Sequence, residues 1–271
     1  MSPHENPAPS VPASVVARLR AAGCVFAEEE AALLLRAART PAELEALVER
    51  RTAGHPLEQV VGWAEFLGLR LVLEPGVFVP RRRTEFLARQ AAALLGAAGP
   101  APVALDLCCG SGAVAAALAA AVPAAEVHAA DLDPAAVRCA RRNLGARVYE
   151  GDLFEALPAA LCGRIDVLVA NVPYVPTGEI PLLPPEARDH EPAHALDGGP
   201  DGLALLRRVA AGAPAWLTPG GSLLSETTQR QTPAALAALT AAGLKATPAT
   251  DPDLDATILI ATAPRAGRSA P

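Results

Sequence analysis

The chain has 271 residues, a net charge of −6 and five cysteines, and is 51% hydrophobic but only 3% aromatic. That length supports one large domain beside a small one, and the acidic balance argues against a broad nucleic-acid-binding surface. Cys24, Cys108, Cys109, Cys139 and Cys162 fit neither a disulfide framework nor a C-x-x-C metal pair, so a reduced, cytoplasmic protein is expected.

Residues 1–12 are rich in proline and serine and are expected to form a disordered tail. They show no basic-then-apolar leader, and no apolar run matches a membrane span. Residues 13–60 read as a small helical domain. VVARLRAAG, EEEAALLLRAA and PAELEALVERR carry the helical pattern, with Gly23 as a stop signal and Pro41 at a helix start. Its role is recognition of a substrate or partner, or simply packing. Residues 61–80 read as a connector, with LRLVL and VFV paired as a β-hairpin across the turn EPG. After Pro80, RRRTEFLARQAAALLGAAG reads as a helix ending between Gly96 and Gly99.

The rest, to residue 262, alternates. Strand-like segments are VALDL, EVHAAD, ARVYEG, IDVLVAN, GSLLSE and ATILIAT, with helical patterns between most of them. Such alternation predicts an α/β fold of βαβ units with a largely parallel sheet. Residues 263–271 read as a loose tail.

The first chemical signal is LDLCCGSGAVA. Gly110 and Gly112 follow a strand and open a helix, so the backbone can turn sharply and a ligand can approach the helix N-terminus, with Cys108, Cys109 and Ser111 in the same turn. Nineteen positions after Gly112, Asp131 ends the next strand, where a carboxylate can accept bonds from ribose hydroxyls. Asp106 stands beside the turn. An anion there suits a cofactor with an amino group and a sulfonium better than a pyrophosphate, which indicates S-adenosyl-L-methionine. Asp152 follows the third strand and is placed to meet an adenine amino group, with Leu153 or Phe154 against the ring. A bare turn, with Asp131 capping a helix, is the alternative; acids at three successive strand ends favour the cofactor. Asp133, in DPAAV, reads as a helix cap. Cys108 and Cys109 read as small turn residues rather than nucleophiles.

The second signal is NVPY, Asn171 to Tyr174, at the end of the fourth strand. The Asn171 oxygen and a neighbouring backbone carbonyl can accept both hydrogens of a planar amino group and aim its nitrogen at an electrophilic methyl. Tyr174 offers a flat face, and the prolines, Pro173 among them, stiffen the loop. The loop also reads as a proline-terminated strand with a surface tyrosine.

With these residues in place, the sequence resembles the HemK-type protein N(5)-glutamine methyltransferases, which act on peptide chain release factors, over roughly residues 13–262. DLCCGSGAVA is similar to the family's cofactor turn, Asp131 to its ribose-binding acid and NVPY to its N-P-P-Y motif. EFLGLRLVLEPGVFVPRRRTE is similar to its hairpin leading into I-P-R-P-E-T-E, and LTPGGSLLSE to its fifth-strand region. The resemblance implies a Rossmann-like seven-stranded S-adenosylmethionine-dependent methyltransferase sheet. It also implies a helical domain that docks the protein substrate, and a glutamine amide gripped by Asn171 and the Val172 carbonyl. The chain departs from that pattern at four places: Val172 for a proline, Arg82 and Arg83 for a Pro-Glu pair, Cys108 and Cys109 for small residues, and SETTQRQ for a Glu-Ile-Gly-like run.

His190 and His194 are spaced i, i+4, but Pro192 between them argues for a structured loop rather than a metal site. Arg188, Asp189 and Glu191 are expected to fix that loop over the site. Two alternatives stay open at this point: an amino-methyltransferase acting on adenine or cytosine of nucleic acid, and a non-catalytic S-adenosylmethionine-binding module.

Overall fold

The computed structural model describes residues 12–265, so most of both expected tails lies outside the described residues. Four helices come first: α1 (Ala13–Ala21), α2 (Ala27–Ala37), α3 (Pro41–Thr52) and α4 (Leu57–Val61). They bury Leu19, Ala31, Leu34 and Val48 against one another. Gly23, at φ +90°, takes the left-handed conformation that ends α1. Thr40 caps α3 by accepting the Glu43 N–H, with Pro41 in the first turn. Inside this unit Arg51 donates from Nε to Glu30 Oε2 at 2.6 Å, with both side chains about nine-tenths buried.

The expected hairpin exists, but its strands differ from the expectation. β1 (Trp63–Phe66) pairs antiparallel with β2 (Leu69–Val72). The turn is Leu67-Gly68, both at positive φ, which matches the twist a two-residue hairpin needs. EPG is a turn, with the Val77 N–H donating to the Glu74 carbonyl, yet VFV does not pair with LRLVL. Val77 and Val79 are buried as loop residues. The apolar run there suggests a strand, but burial alone accounts for it.

α5 (Thr84–Ala97) leads into a seven-stranded sheet formed by β3 (Val103–Leu107), β4 (Glu126–Asp131), β5 (Val148–Glu150), β6 (Ile165–Ala170), β7 (Leu217–Thr227), β8 (Lys245–Asp251) and β9 (Ala256–Thr262). The spatial order is β5-β4-β3-β6-β7-β9-β8, and all pairings are parallel except those of β9, which runs antiparallel to β7 and β8. Six of these strands match strand-like segments of the sequence. β8 was not expected: Pro248 interrupts its pattern and it alternates weakly. As an edge strand bonded only to β9 it tolerates both.

Period-two alternation sends Ala104, Val167, Val169 and Leu224 to one face, against α5, α6 (Ala113–Ala121) and α7 (Pro134–Leu144). Leu105, Leu168 and Leu223 face the other way, against α9 (Ala204–Trp216) and α10 (Thr232–Ala241). Both faces are thus covered, as a parallel sheet requires. A long connection after β6 carries the short helix α8 (Pro185–His190). The chain runs from β3 outward through β4 to β5, then returns to the other side of β3 with β6. Between β3 and β6 the direction of winding reverses, and in such sheets a crevice opens there at the carboxyl ends of the strands.

Candidate active site

A cavity of about 780 Å³ occupies that crevice. Its wall includes the turn after β3, the ends of β4 and β5, the loop after β6, Glu226 of β7 and the connection around α8. Of the candidate cofactor- and substrate-binding residues read from the sequence, all but Gly112 and Phe154 line it.

The turn after β3 is held by its neighbours. Cys108 is a non-glycine residue in the left-handed region, at φ +57°. The Cys109 N–H donates to the Ala130 carbonyl of β4, and the Gly112 N–H closes the turn on the Cys109 carbonyl. Gly112, at φ +77°, faces α7 rather than the cavity. A Cβ there would stand 3.1 Å from the Ala140 Cβ, so this glycine lets α6 and α7 approach. Ser111 is buried, and its carbonyl accepts from Asn143 Nδ2. Burial and the nearby acids, Asp131 and Asp106 foremost for Cys108, push both thiols of the turn upward, away from the reactive thiolate.

Asp131 spans the rim. Its Oδ2 accepts the Gly110 N–H at 2.8 Å and its Oδ1 accepts the Asp133 N–H at 2.9 Å. Each oxygen keeps a lone pair for a ligand hydroxyl, although burial raises its pKa. Asp133 caps α7 through the Ala135 N–H. Asp106 is 1% exposed and accepts the Ala115 N–H in the first turn of α6 at 3.1 Å. Asp152 pairs with Arg208 at 2.7 Å, a partner not foreseen from sequence. Leu153 lines the cavity at φ +49°, whereas Phe154 stacks on Trp216 at 5.7 Å and packs against Gly212. Of the two ring-contacting candidates, only Leu153 reaches the cavity. Leu132, next to Asp131, adds an apolar wall that is 60% exposed.

The loop after β6 brings Asn171 to the cavity. Its Nδ2 lies 3.5 Å from Thr84 Oγ1, while its Oδ1 is buried and no donor among the described residues reaches it. Val172 has its side chain in the core, so the loop is anchored there by packing where a proline would anchor it by ring closure. Tyr174 donates to Glu226 Oε1 at 2.8 Å, and the Arg83 guanidinium lies 5.7 Å from its ring centre. Burial, then Glu226, raises the phenol pKa and keeps it protonated. The Tyr174 carbonyl accepts from Gln231 Nε2 at 2.8 Å. Thr84, Arg83, Glu226 and Gln231 were not among the expected site residues. The sequence signals were two departures from the family pattern: the Arg82-Arg83 pair, and the SETTQRQ run, which contains Glu226 and Gln231.

The connection over the site is tied down differently from the expectation. Glu191 is buried, accepts the Val79 N–H at 3.2 Å and pairs with Arg81. Among the described residues, Arg188 and Asp189 pair with each other on the surface and with nothing that would fix the loop. The two histidines go separate ways: His190 ends α8 beside His55, and His194 approaches Asp133 at 3.5 Å. No group of three or more metal-ligating side chains occurs among the described residues.

A methyltransferase-domain family model matches residues 104–189. Over 204 residues the chain is 44% identical to the release factor glutamine methyltransferase of Bordetella pertussis, a match covering 73% of this chain and 74% of that one. The chain belongs to the release factor glutamine methyltransferase family. It is also 44% identical, over 66% of its length and 63% of the relative's, to the 4-amino-L-phenylalanine/4-methylamino-L-phenylalanine methyltransferase of Streptomyces pristinaespiralis. With several such relatives the match spans just under two thirds of the relative's length. In fold it is similar to a methyltransferase of Pyrococcus furiosus, with a TM-score of 0.55, 17% identity, and 81% and 98% of the two chains covered. The Rossmann-like sheet of this family is the one described above. No helix among the described residues is long and apolar enough to cross a membrane.

Proposed function

We propose that the chain transfers a methyl group from S-adenosyl-L-methionine to the side-chain amide nitrogen of a protein glutamine, in a peptide chain release factor. The observation that carries this reading is Asn171 Oδ1, a buried acceptor that no donor among the described residues reaches, in a cavity that Asp131 and Asp106 also line. A buried polar atom without a partner costs roughly 1–3 kcal/mol, and an incoming amide N–H removes that cost.

When bound, the cofactor supplies an electrophilic methyl group on a sulfonium. Asp131 would accept from its ribose hydroxyls, Leu132 and Leu153 would offer apolar surface to its base, and Asp106 and Asp152 would meet its cationic and amino groups. Gly110, Ser111 and the two cysteines would hold it from the turn after β3. Asn171 and the Val172 carbonyl hold the two amide hydrogens of the glutamine. Pro173 restricts the loop, and Tyr174 presents its ring. An amide nitrogen is a weak nucleophile because its lone pair is delocalised. Two fixed acceptors favour the positive charge that develops on it, and positioning of this kind lowers barriers by roughly 7–11 kcal/mol in favourable cases. The proton leaves to solvent after transfer. The helical unit at residues 13–60 is the surface that receives the protein substrate, with residues 61–80 as connector and 81–262 as the methyltransferase unit.

The test is incubation with labelled S-adenosylmethionine and release factors, then mass spectrometry to locate the label. Label on a glutamine amide supports the reading; label confined to nucleic acid ends it. One observation favours a second reading. Arg83 is half-exposed on the cavity wall, where the family pattern has an acid, and a guanidinium suits a carboxylate. A free aromatic amino acid bearing a ring amine would satisfy both Asn171 and Arg83. Turnover of such an amine with none of the release factor selects it.

A further inference from the structure

The reading above requires one orientation of Asn171. An incoming amide NH2 is a donor, so Asn171 must show it Oδ1 and not Nδ2. The two ends of a primary amide are nearly identical in shape, and only hydrogen-bond partners distinguish them. The partner at the other end is a hydroxyl, Thr84 Oγ1, 3.5 Å from Nδ2. A free hydroxyl does not discriminate, because it donates to an oxygen as readily as it accepts from a nitrogen.

Thr84 is not free. A hydroxyl has one hydrogen, and that of Thr84 is committed to Glu226 Oε2 at 2.8 Å. A carboxylate only accepts, so this bond cannot be reversed. Thr84 Oγ1 is left with lone pairs alone facing Asn171. They attract Nδ2 and repel Oδ1. Glu226 is itself held on its other oxygen, where Oε1 accepts from Arg83 Nε at 2.7 Å and from the Tyr174 hydroxyl at 2.8 Å. Thr84 and Glu226 are 4% and 3% exposed, so water does not compete freely for these bonds.

We infer that Glu226, acting through the Thr84 hydroxyl, is a positioning residue that sets the amide orientation of Asn171 and so makes the site a receiver of N–H donors. Arg83 serves the same device. Its guanidinium holds the buried carboxylate in place through Oε1 and leaves Oε2 to the Thr84 hydroxyl. The inference rests on the proposed acceptor role of Asn171, and it assigns Thr84 and Glu226 no contact with the methyl group.

The test compares Thr84→Val, which keeps the shape and removes the hydroxyl, with Thr84→Ser, which keeps the hydroxyl. Transfer to a release factor is measured as kcat and KM separately, with cofactor affinity by calorimetry. A second readout needs no substrate: the side-chain amide signal of Asn171 in 15N spectra, assigned from its loss in Asn171→Asp. The expected result for Thr84→Val is a kcat lower by roughly 10- to 100-fold, with cofactor affinity changed less than about threefold, and an Asn171 amide signal that shifts and exchanges faster. Thr84→Ser recovers most of both. Glu226→Gln combined with Thr84→Val loses little more than Thr84→Val alone, because the two act in series. If Thr84→Val fails to fold, Thr84→Ala takes its place with the same expectations. A Thr84→Val protein with wild-type kcat and an unchanged amide signal overturns the inference. So does a loss that falls only on KM and melting temperature, which marks a structural role. The two failures are separable: a wild-type protein inactive on release factors counts against the proposed function, whereas the amide signal still decides the orientation.

Discussion

Burial of Asp106 beneath the first turn of α6 pushes its carboxyl from an ordinary 3.8 up to about 7, with the Ala115 N–H opposing the rise and Asp131 adding to it. Between those values the folded protein holds a proton that the unfolded chain has released. Stability from this group is therefore complete below about 3.8, falls as pH rises and is gone above about 7. Asp106→Asn removes that part of the slope, which denaturant titrations on the acid and alkaline sides of the window measure. Affinity for a cofactor with a cationic centre has the opposite sign. It rises with pH through about 7 as Asp106 ionises, and calorimetry shows a flatter profile for Asp106→Asn; an unchanged profile would mean that the carboxylate does not face the cofactor. At the other wall, Asn171→Ala nearly abolishes transfer while cofactor affinity stays within about tenfold, or about 1.4 kcal/mol. A larger loss of cofactor binding would reassign Asn171 to the donor side. Asn171 and Asp131 were legible because each ends a strand. Thr84 and Glu226 were not: 142 positions separate them, and they meet only because α5 begins under the carboxyl end of β7.

At the scale of elements, the loop after β6 is not self-supporting. Val175 bridges to Asp197, the Gly198 N–H donates to the Val175 carbonyl, and Gln231 at the start of α10 holds the Tyr174 and Asp201 carbonyls. Gly202 stands at this junction at φ +75°. A Cβ there would lie 2.3 Å from both Gln231 Nε2 and the Tyr174 carbonyl oxygen. Gly202→Ala should cost about 2 kcal/mol, lower the melting temperature by roughly 4–8 °C and reduce transfer by displacing Tyr174, while cofactor binding is largely kept. Calorimetric melting and a transfer assay check this; full activity with a normal melt would show that the junction yields without cost. Element type was readable wherever the apolar pattern had a clear period, as in VALDL and IDVLVA. It misled at VFV, where loop residues are buried without pairing, and it was silent at β8, where an edge strand has only one neighbour to satisfy.

For the whole molecule, the N-terminal helices and the connection over the cavity are joined by polar contacts. Arg51 pairs with Glu30 and reaches Glu186 of α8 at 3.7 Å, and the rings of His55 and His190 lie 4.2 Å apart. Arg51→Ala leaves Glu30 buried without its partner, which should cost roughly 3–5 kcal/mol. We expect that loss to be local. Hydrogen exchange should show α1 to α3 losing protection while β3 to β7 keep theirs. Equal loss in both would mean that the helical unit and the sheet unfold as one.

The chain by itself determined the α/β class, the glycine-rich turn after β3, the acid at the end of β4 and the NVPY loop after β6. Each is local, written within a few residues by strand pattern, glycine and side-chain chemistry, and a parallel sheet gathers strand ends at one edge whatever the details. Only the tertiary structure decided which residues support them. It turned Gly112 to helix packing and Phe154 to Trp216, gave Asp152 to Arg208, and used Glu191 rather than Arg188 and Asp189 to hold the connection. Above all, it brought Arg83, Thr84 and Glu226 around NVPY. The reason is physical: a buried donor or acceptor must find a partner in space, and sequence distance places no constraint on which one it finds.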